Sequence, residues 1–242
     1  MSLPSYPEYK DSGLECFAEI PKHWCVSRLS RLAEVIDPQP DHRAPPIVQG
    51  DGYPYVGIRD LNADGTVNFD TARQVAEDAV LKQESAFVIR KGDIVFCKVG
   101  TLGFPRQIRP HGRLALSATL VLIKPRSDVS SRFLLHSLDA IGIYAQIGYF
   151  STGSTRAALG IEQIRRFVLP APPLDEQLTL ASFLDRETGK IDALIAEQEK
   201  LLTLLAEQRQ ATSSHAVAKG LNPDAPMKDS GVAWLGEVPA HW

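Results

Sequence analysis

Two stretches of this 242-residue chain carry side chains that grip anions. KVGTLGFPRQIRPHGR sets Lys98, Arg106, Arg109 and Arg113 close together, with Gly100 and Gly103 flanking Thr101. Glycine lets backbone approach a ligand closely. An Arg can hold guanine O6 and N7 with two hydrogen bonds, worth about 1–3 kcal/mol of discrimination. The same stretch also reads as a glycine hairpin with a solvated basic face. STGSTRAALG, residues 151 to 160, offers Thr152, Ser154, Thr155 and Arg156. Small hydroxyls and one cation suit phosphate, while Ser154 or Thr155 could equally cap the next short helix. Arg59, in GIRDLN, is a further candidate contact unless its neighbour Asp60 pairs it.

Catalytic chemistry has no such footing. There is no GxxxxGK[ST] loop for a nucleotide. The Pro-Pro pairs, in RAPPIV and PAPPLD, lack the aromatic that a methyltransferase motif needs. The histidines show no metal-ligand spacing. Glu8-Tyr9-Lys10 superficially fits the end of a nuclease motif. The expectation is a non-enzyme with no catalytic residue, metal or cofactor. Three cysteines, Cys16, Cys25 and Cys97, form neither a zinc knuckle nor a disulfide framework. No apolar run reaches membrane-spanning length and no secretion signal is visible, so a cytoplasmic protein is expected. Net charge is −3, but unevenly spread. Residues 98 to 166 hold ten Lys/Arg against three Asp/Glu, and residues 171 to 242 hold six against eleven. One surface can face an anion while another does something else.

These side chains need a scaffold, and residues 1 to 170 read as mixed α and β. Strands are predicted at 53–61 (YPYVGIRDL), 93–99 (DIVFCKV) and, most strongly, 114–123 (LALSATLVLI). Asn62–Gly65 marks a turn. Helices are predicted over 77–87 and over 131–149, the latter capped by Ser130 or Ser131. Tyr149 and Phe150 read as core. LPAPPL (169–174) then breaks the chain. From Asp175 to Lys219 there is no proline and one glycine, and Gly220 follows. That predicts a helix of about 45 residues, roughly 65 Å long. Leu184, Ile191, Gln198 and Leu205 form one heptad row on it, and Ile195 and Leu202 the other, with Leu194 and Leu201 widening the stripe. So long a stripe calls for a second long helix; folding back on its own domain is the alternative. The fold class is therefore α+β: a mixed α/β domain (1–170), one long helix whose stripe calls for a partner helix in a coiled coil (171–220), and a tail (221–242).

The tail is a repeat. YKDSGLECFAEIPKHW (9–24) and MKDSGVAWLGEVPAHW (227–242) align without a gap at an offset of 218, with eight of sixteen positions identical. The counterpart of Glu8 is Pro226, which removes the carboxylate from the nuclease-like motif. The chain reads as one full repeat plus the opening of a second.

With KDSGLECFAEIPKHW, TGSTRAALGIEQIRRFVLPAPPLDEQ (152–177) and FLDRETGKIDALIAEQEKLLTLLAEQRQATSSHAVAKGLNP (183–223), the sequence resembles the specificity (S) subunits of type I restriction–modification systems. GYPYVGIRDLN and KGDIVFCKVGTLG are family-like within the variable segment between. The resemblance implies a non-catalytic subunit that binds double-stranded DNA and places methyltransferase (M) and restriction/translocase (R) subunits on it. Such subunits carry two recognition domains held apart by paired antiparallel helices; this chain reads as half of one. Two copies joined through Leu184, Ile191, Leu194, Ile195, Gln198, Leu201, Leu202 and Leu205 would restore two identical heads. They would read a gapped palindrome, with half-site centres about 34 Å apart. Two other readings stay open: the recognition part of a fused restriction–methyltransferase enzyme, and a structural coiled-coil adaptor without DNA contact.

Overall fold

The computed structural model describes residues 5–14, 17–41, 43–62, 64–109, 111–151 and 157–242. Two compact units result, Met1–Leu184 and Asp185–Trp242. The first contains, in chain order, β1 (Tyr9–Asp11), β2 (Glu19–Pro21), β3 (Cys25–Arg28), α1 (Leu29–Leu32), β4 (Ala33–Ile36) and β5 (Tyr53–Val56). Then come β6 (Arg73–Val75), α2 (Glu77–Glu84), β7 (Ile94–Cys97), β8 (Gly103–Gln107), β9 (Ala115–Leu116) and β10 (Leu120–Pro125). Helices α3 (Ser131–Leu138), α4 (Ile141–Ser151) and α5 (Ile161–Arg165), and strand β11 (Val168–Ala171), complete the head. Helix α6 (Leu174–Lys219) leaves it, and β12 (Met227–Asp229) and β13 (Glu237–Pro239) close the second unit.

A four-stranded antiparallel sheet, in the order β4-β10-β7-β8, forms the centre of the head. Its inner strands β7 and β10 are buried on both faces over Ile94–Cys97 and Leu120–Ile123, so they read as near-continuous apolar runs rather than alternating ones. Ile94, Phe96, Val121 and Ile123 point to one face, where Leu134, Leu138, Ile143, Ile164 and Phe167 cover them. Val95, Cys97, Leu120 and Leu122 point to the other, against Val56, Ile108 and Leu116. Each such fully buried side chain contributes roughly 1.5–3 kcal/mol. The second layer is a smaller sheet, β6-β5-β9, in which β5 and β9 run parallel.

The sequence-predicted elements are present with instructive differences. The run 114–123 is two strands, not one. Between them Ser117 donates its N–H to Val56 O (2.8 Å), and Ala118 donates to the Tyr55 hydroxyl (2.9 Å). The chain there crosses from the small sheet to the central one. The helix predicted over 131–149 is also two. Ser130 caps the first, accepting from Phe133 N–H (3.3 Å). At Gly142, in the first turn of the second, an added Cβ would lie 2.3 Å from the Phe17 ring. The strand predicted at 53–61 stops at Val56, and Ile58–Asp60 forms a 3₁₀ turn. Phe150 packs against the core, but Tyr149 stands exposed, contrary to the expectation for it. Cys25 and Cys97 are free thiols, and Cys16 lies outside the described residues.

Helix α6 runs as the proline break and following glycine predict. Asp175 and Glu176 occupy its first turn, and Gly220 follows it with φ +73°, the left-handed geometry that ends helices. Its root is fixed by a residue the sequence did not mark. Buried Gln177 accepts from Ser130 N–H (2.9 Å) and donates to Pro172 O (2.9 Å). Farther along, Ile191, Leu194, Ile195, Gln198, Leu201, Leu202 and Leu205 are exposed in the single chain, and Leu184 is half-buried. No described helix is long and apolar enough to cross a membrane.

Candidate nucleic-acid interface

The head carries an open polar cleft of about 440 Å³ at the end of the central sheet where β7 finishes and β10 begins. One wall is the 3₁₀ turn and the start of β6. Asp60 holds that turn rather than pairing Arg59: its carboxylate accepts from Gly57 N–H (2.8 Å), and its carbonyl accepts from Asn68 N–H (2.7 Å). Arg59 is left exposed on the lip. Arg73, directly across from Tyr55 in the β5–β6 register, lies 5.8 Å from the centre of the Tyr55 ring and lines the same cleft. The other wall is Val99, Gly100 and Thr101, with Ser117 and Thr119 whose hydroxyls are 3.1 Å apart.

Two guanidinium groups and four hydroxyls, those of Thr71, Thr101, Ser117 and Thr119, around an open cleft can donate to base edges and to phosphate oxygens. The cleft holds little else that reacts. Cys97 lines it, but burial pushes its thiol pKa up, so the thiol stays protonated while donating to Val99 O (3.3 Å). Among the described residues no cluster of three His, Cys, Asp or Glu is arranged to hold a metal ion.

The structure brings two of the sequence-chosen residues, Arg59 and Thr101, to this cleft and places the other described ones elsewhere. Lys98 does not project into solvent. Its side chain is only 3% exposed, and its ammonium meets Asp37 at 2.5 Å. Arg113 is held by Glu84 (3.0 and 2.8 Å) and Glu77 (2.6 Å), and lies 5.0 Å from the Tyr53 ring centre. Its hydrogen bonds to Glu84, then to Glu77, push its pKa further up and so favour the charged form. Both corrections have one cause: a cation close in sequence to others still pairs with whichever carboxylate the fold brings near. Arg106 lies on the edge strand β8 and donates to Pro105 O (3.1 Å). Exposed Arg109 sits beside the turn at Asn62–Gly65, its N–H bonded to Gly65 O (2.8 Å). Asp64 there has its carboxyl held below the usual range, chiefly by Thr66, with Arg109 contributing. Gly65 has no substitute, since an added Cβ would meet Gln107 O at 1.9 Å. Thr152, Ser154, Thr155 and Arg156 lie outside the described residues. The N-cap of α5 is Gly160, not Ser154 or Thr155.

Arg73, Ser117 and Thr119 are the residues that sequence reasoning missed. The polar interruption SAT inside the apolar run 114–123 was a visible signal for the last two. Arg73 had none, because its place depends on the register of β6 against β5.

The profile of the type I restriction modification DNA specificity domain matches residues 21–203. The putative type I restriction enzyme MjaX specificity subunit of Methanocaldococcus jannaschii is 24% identical over 233 residues, covering 93% of this chain and 52% of that protein. The type I restriction enzyme EcoBI specificity subunit of Escherichia coli is 26% identical over 178 residues, covering 72% and 34%. The chain thus spans about half, or less, of the length of these relatives. Among solved structures, a chain from work on complex assembly and conformational transition of the type I R-M system superposes with TM-score 0.63 at 21% identity, covering 84% of this chain and 48% of that one. The HsdS subunit from Thermoanaerobacter tengcongensis superposes with TM-score 0.57 at 21% identity, covering 88% and 48%.

Proposed function

The chain belongs to the type I restriction modification DNA specificity family, and on that premise we propose that its head reads one half of a split DNA site through the cleft between Arg59, Arg73 and Thr101. The observation that carries this reading is the pairing pattern of the cations. Lys98, Lys124 and Arg113 each meet a carboxylate of the chain, whereas Arg59 and Arg73 line an open cleft beside hydroxyl groups. Guanidinium groups aimed into a cleft specify bases; cations on the surrounding surface, such as Arg109, position the backbone. The head has no catalytic task in this proposal. It places methyltransferase and restriction subunits on DNA.

The exposed stripe of α6 supports the second half of the proposal. Its apolar residues repeat at spacings of three and four over Ile191–Leu205 and are uncovered in the single chain. A second copy, antiparallel about a two-fold axis, covers them and supplies a second, identical head. Gln198 within the stripe fixes register. The DNA site is then an inverted repeat with an unread spacer.

Selection from a random duplex library tests both halves. A gapped inverted repeat should be enriched, and binding should weaken as salt rises. Arg59→Ala or Arg73→Ala should lower discrimination at particular bases by about 1–3 kcal/mol. Selection of the same site by both variants would remove the cleft from the proposal. Sedimentation of an Ile195→Asp, Leu202→Asp chain should show monomers, and a surviving dimer would place the joint elsewhere.

A further inference from the structure

We infer that the buried Lys98–Asp37 pair is a positioning device that holds the Val99–Thr101 and Thr119 wall of the reading cleft in place on the head, without touching DNA itself. The inference rests on the DNA-reading proposal for that cleft. Lys98 sits just past β7 at a crossing of three chain segments. Its N–H donates to Thr119 O (2.8 Å), and its carbonyl accepts from Leu159 N–H (2.8 Å). Two residues on, Gly100 donates to Ala157 O (2.8 Å), with Val99 and Ala158 bridged between. The side chain then crosses to Asp37, which follows β4 and also accepts from Gln39 N–H (3.0 Å). One residue thus ties β4, the start of β10 and the segment 157–159 to the strand that leads into Thr101.

The groups tied at the end of β7 and the start of β10 bear on the cleft: Thr119 and Val99 line it, and Thr101 forms its lip. The pair itself is out of reach of a duplex, with side-chain exposures of 3% and 11%. A buried ion pair is a poor source of stability, because removing two charges from water offsets most of their attraction. Its directional demand is another matter. An ammonium and a carboxylate in contact tolerate little displacement, whereas an apolar pair of similar volume tolerates sliding. A cleft that must present hydroxyls and guanidinium groups to base edges within hydrogen-bond tolerance needs the stricter tie.

The test uses the full chain with Lys98→Met and Asp37→Leu combined, which leaves no unpaired buried charge. Asp37→Asn is the milder companion, keeping shape while weakening the tie. Two readouts are taken. Without DNA, the amides of Gly100 and Leu159 should exchange with solvent at least tenfold faster in the double variant, while those of Val95 and Leu122 keep their protection. With DNA, the ratio of selected-duplex to random-duplex affinity should fall at least tenfold. The slope of log affinity against log salt should stay unchanged. A slope shallower by about 0.9 would mean that Lys98 neutralises a phosphate after all. Unchanged exchange at Gly100 and Leu159, or unchanged selectivity in a chain that has loosened there, would overturn the inference. Faster exchange in a chain whose wild type selects no duplex would instead sink the DNA-reading proposal. Asp37→Asn should shift both readouts in the same direction by a smaller factor, and a double variant that fails to fold leaves that companion to decide.

Discussion

The hairpin at 9–24 and its repeat at 227–242 share a strand register, yet among the described residues only the first is anchored to a helix root through its His-Trp pair. In both, three residue pairs align at an offset of 218: Tyr9–Pro21 with Met227–Pro239, Lys10–Ile20 with Lys228–Val238, Asp11–Glu19 with Asp229–Glu237. Asp11 accepts from Gly13 N–H at 2.8 Å, and Asp229 accepts from Gly231 N–H at 3.0 Å. Both glycines are left-handed, at φ +71° and +72°. Trp24 N–H bonds to Pro21 O and Trp242 N–H to Pro239 O, each at 3.0 Å. In the first copy Glu176 of α6 then collects three donors. Trp24 Nε1 (2.9 Å) and the Tyr6 hydroxyl (2.9 Å) reach one carboxylate oxygen, and His23 Nε2 reaches the other (2.5 Å). In the second copy Asp224 stands where Tyr6 would be. Among the described residues the rings of His241 and Trp242 have no hydrogen-bond partner, and Trp242 is 52% exposed. The hairpin's conformation is thus local, set by the turn chemistry of Asp, Ser and Gly. Its anchorage is set by one residue more than 150 positions away.

The strongest way to break that asymmetry is Glu176→Ala. It removes the shared acceptor and leaves the Tyr6 hydroxyl and Trp24 indole without their partner, a loss of about 1–3 kcal/mol. Denaturant unfolding should show it. Fluorescence of Trp24, with Trp234 and Trp242 changed to Phe, should report a more solvated indole. The second hairpin should keep its amide protection. A midpoint shift worth less than about 0.5 kcal/mol, the level of an ordinary surface change, would mean that Glu176 anchors nothing.

Acid sharpens the same contrast. Burial is the largest influence on Glu176 and opposes its ionisation, but hydrogen bonds from Trp24, His23 and Tyr6 together hold its carboxyl below the usual carboxylate range. A carboxyl depressed in the folded state stabilises fully above its unfolded value, about 4.3. That contribution is lost as pH falls below it and through the folded value. Trp24 fluorescence should therefore change on acidification below about pH 4. In Glu176→Gln, which cannot titrate, the transition should be absent. An identical acid transition in both would assign it to another carboxylate.

The contrast also shows what could be read from sequence. The repeat, the helix from its proline start to its glycine stop, and the apolar seam were legible because each is a local pattern: an offset, an uninterrupted run, a spacing of three and four. Arg59 and Thr101 were legible as residue types beside glycine. What was not legible is pairing across distance. Nothing near Lys98 announces Asp37, and nothing near Arg113 announces Glu77 and Glu84; chain topology brings each pair together. Arg73 enters the cleft by strand register, and Glu176 becomes an anchor because the first hairpin reaches the helix root. Sequence marked it only as an acid in a first turn.

The smallest effects provide the closest comparison, because one chemical change can be made at equivalent places. Trp24→Phe removes one of the three donors to Glu176 from a half-buried ring, and should cost about 1 kcal/mol. Trp242→Phe removes the same N–H from a ring with no acceptor among the described residues, and should stay within about 0.5 kcal/mol. Both substitutions trim the ring alike, but Trp24 is half-buried edge-on to Tyr6 and Trp242 is 52% exposed, so lost packing adds to the difference. Melting of the two single variants, side by side, reads it directly. Equal losses would mean that the indole serves the hairpin itself, in both copies, and that Glu176 is incidental to its role. A loss confined to position 24 would assign the tryptophan's energetic value to the helix it meets rather than to the hairpin that presents it.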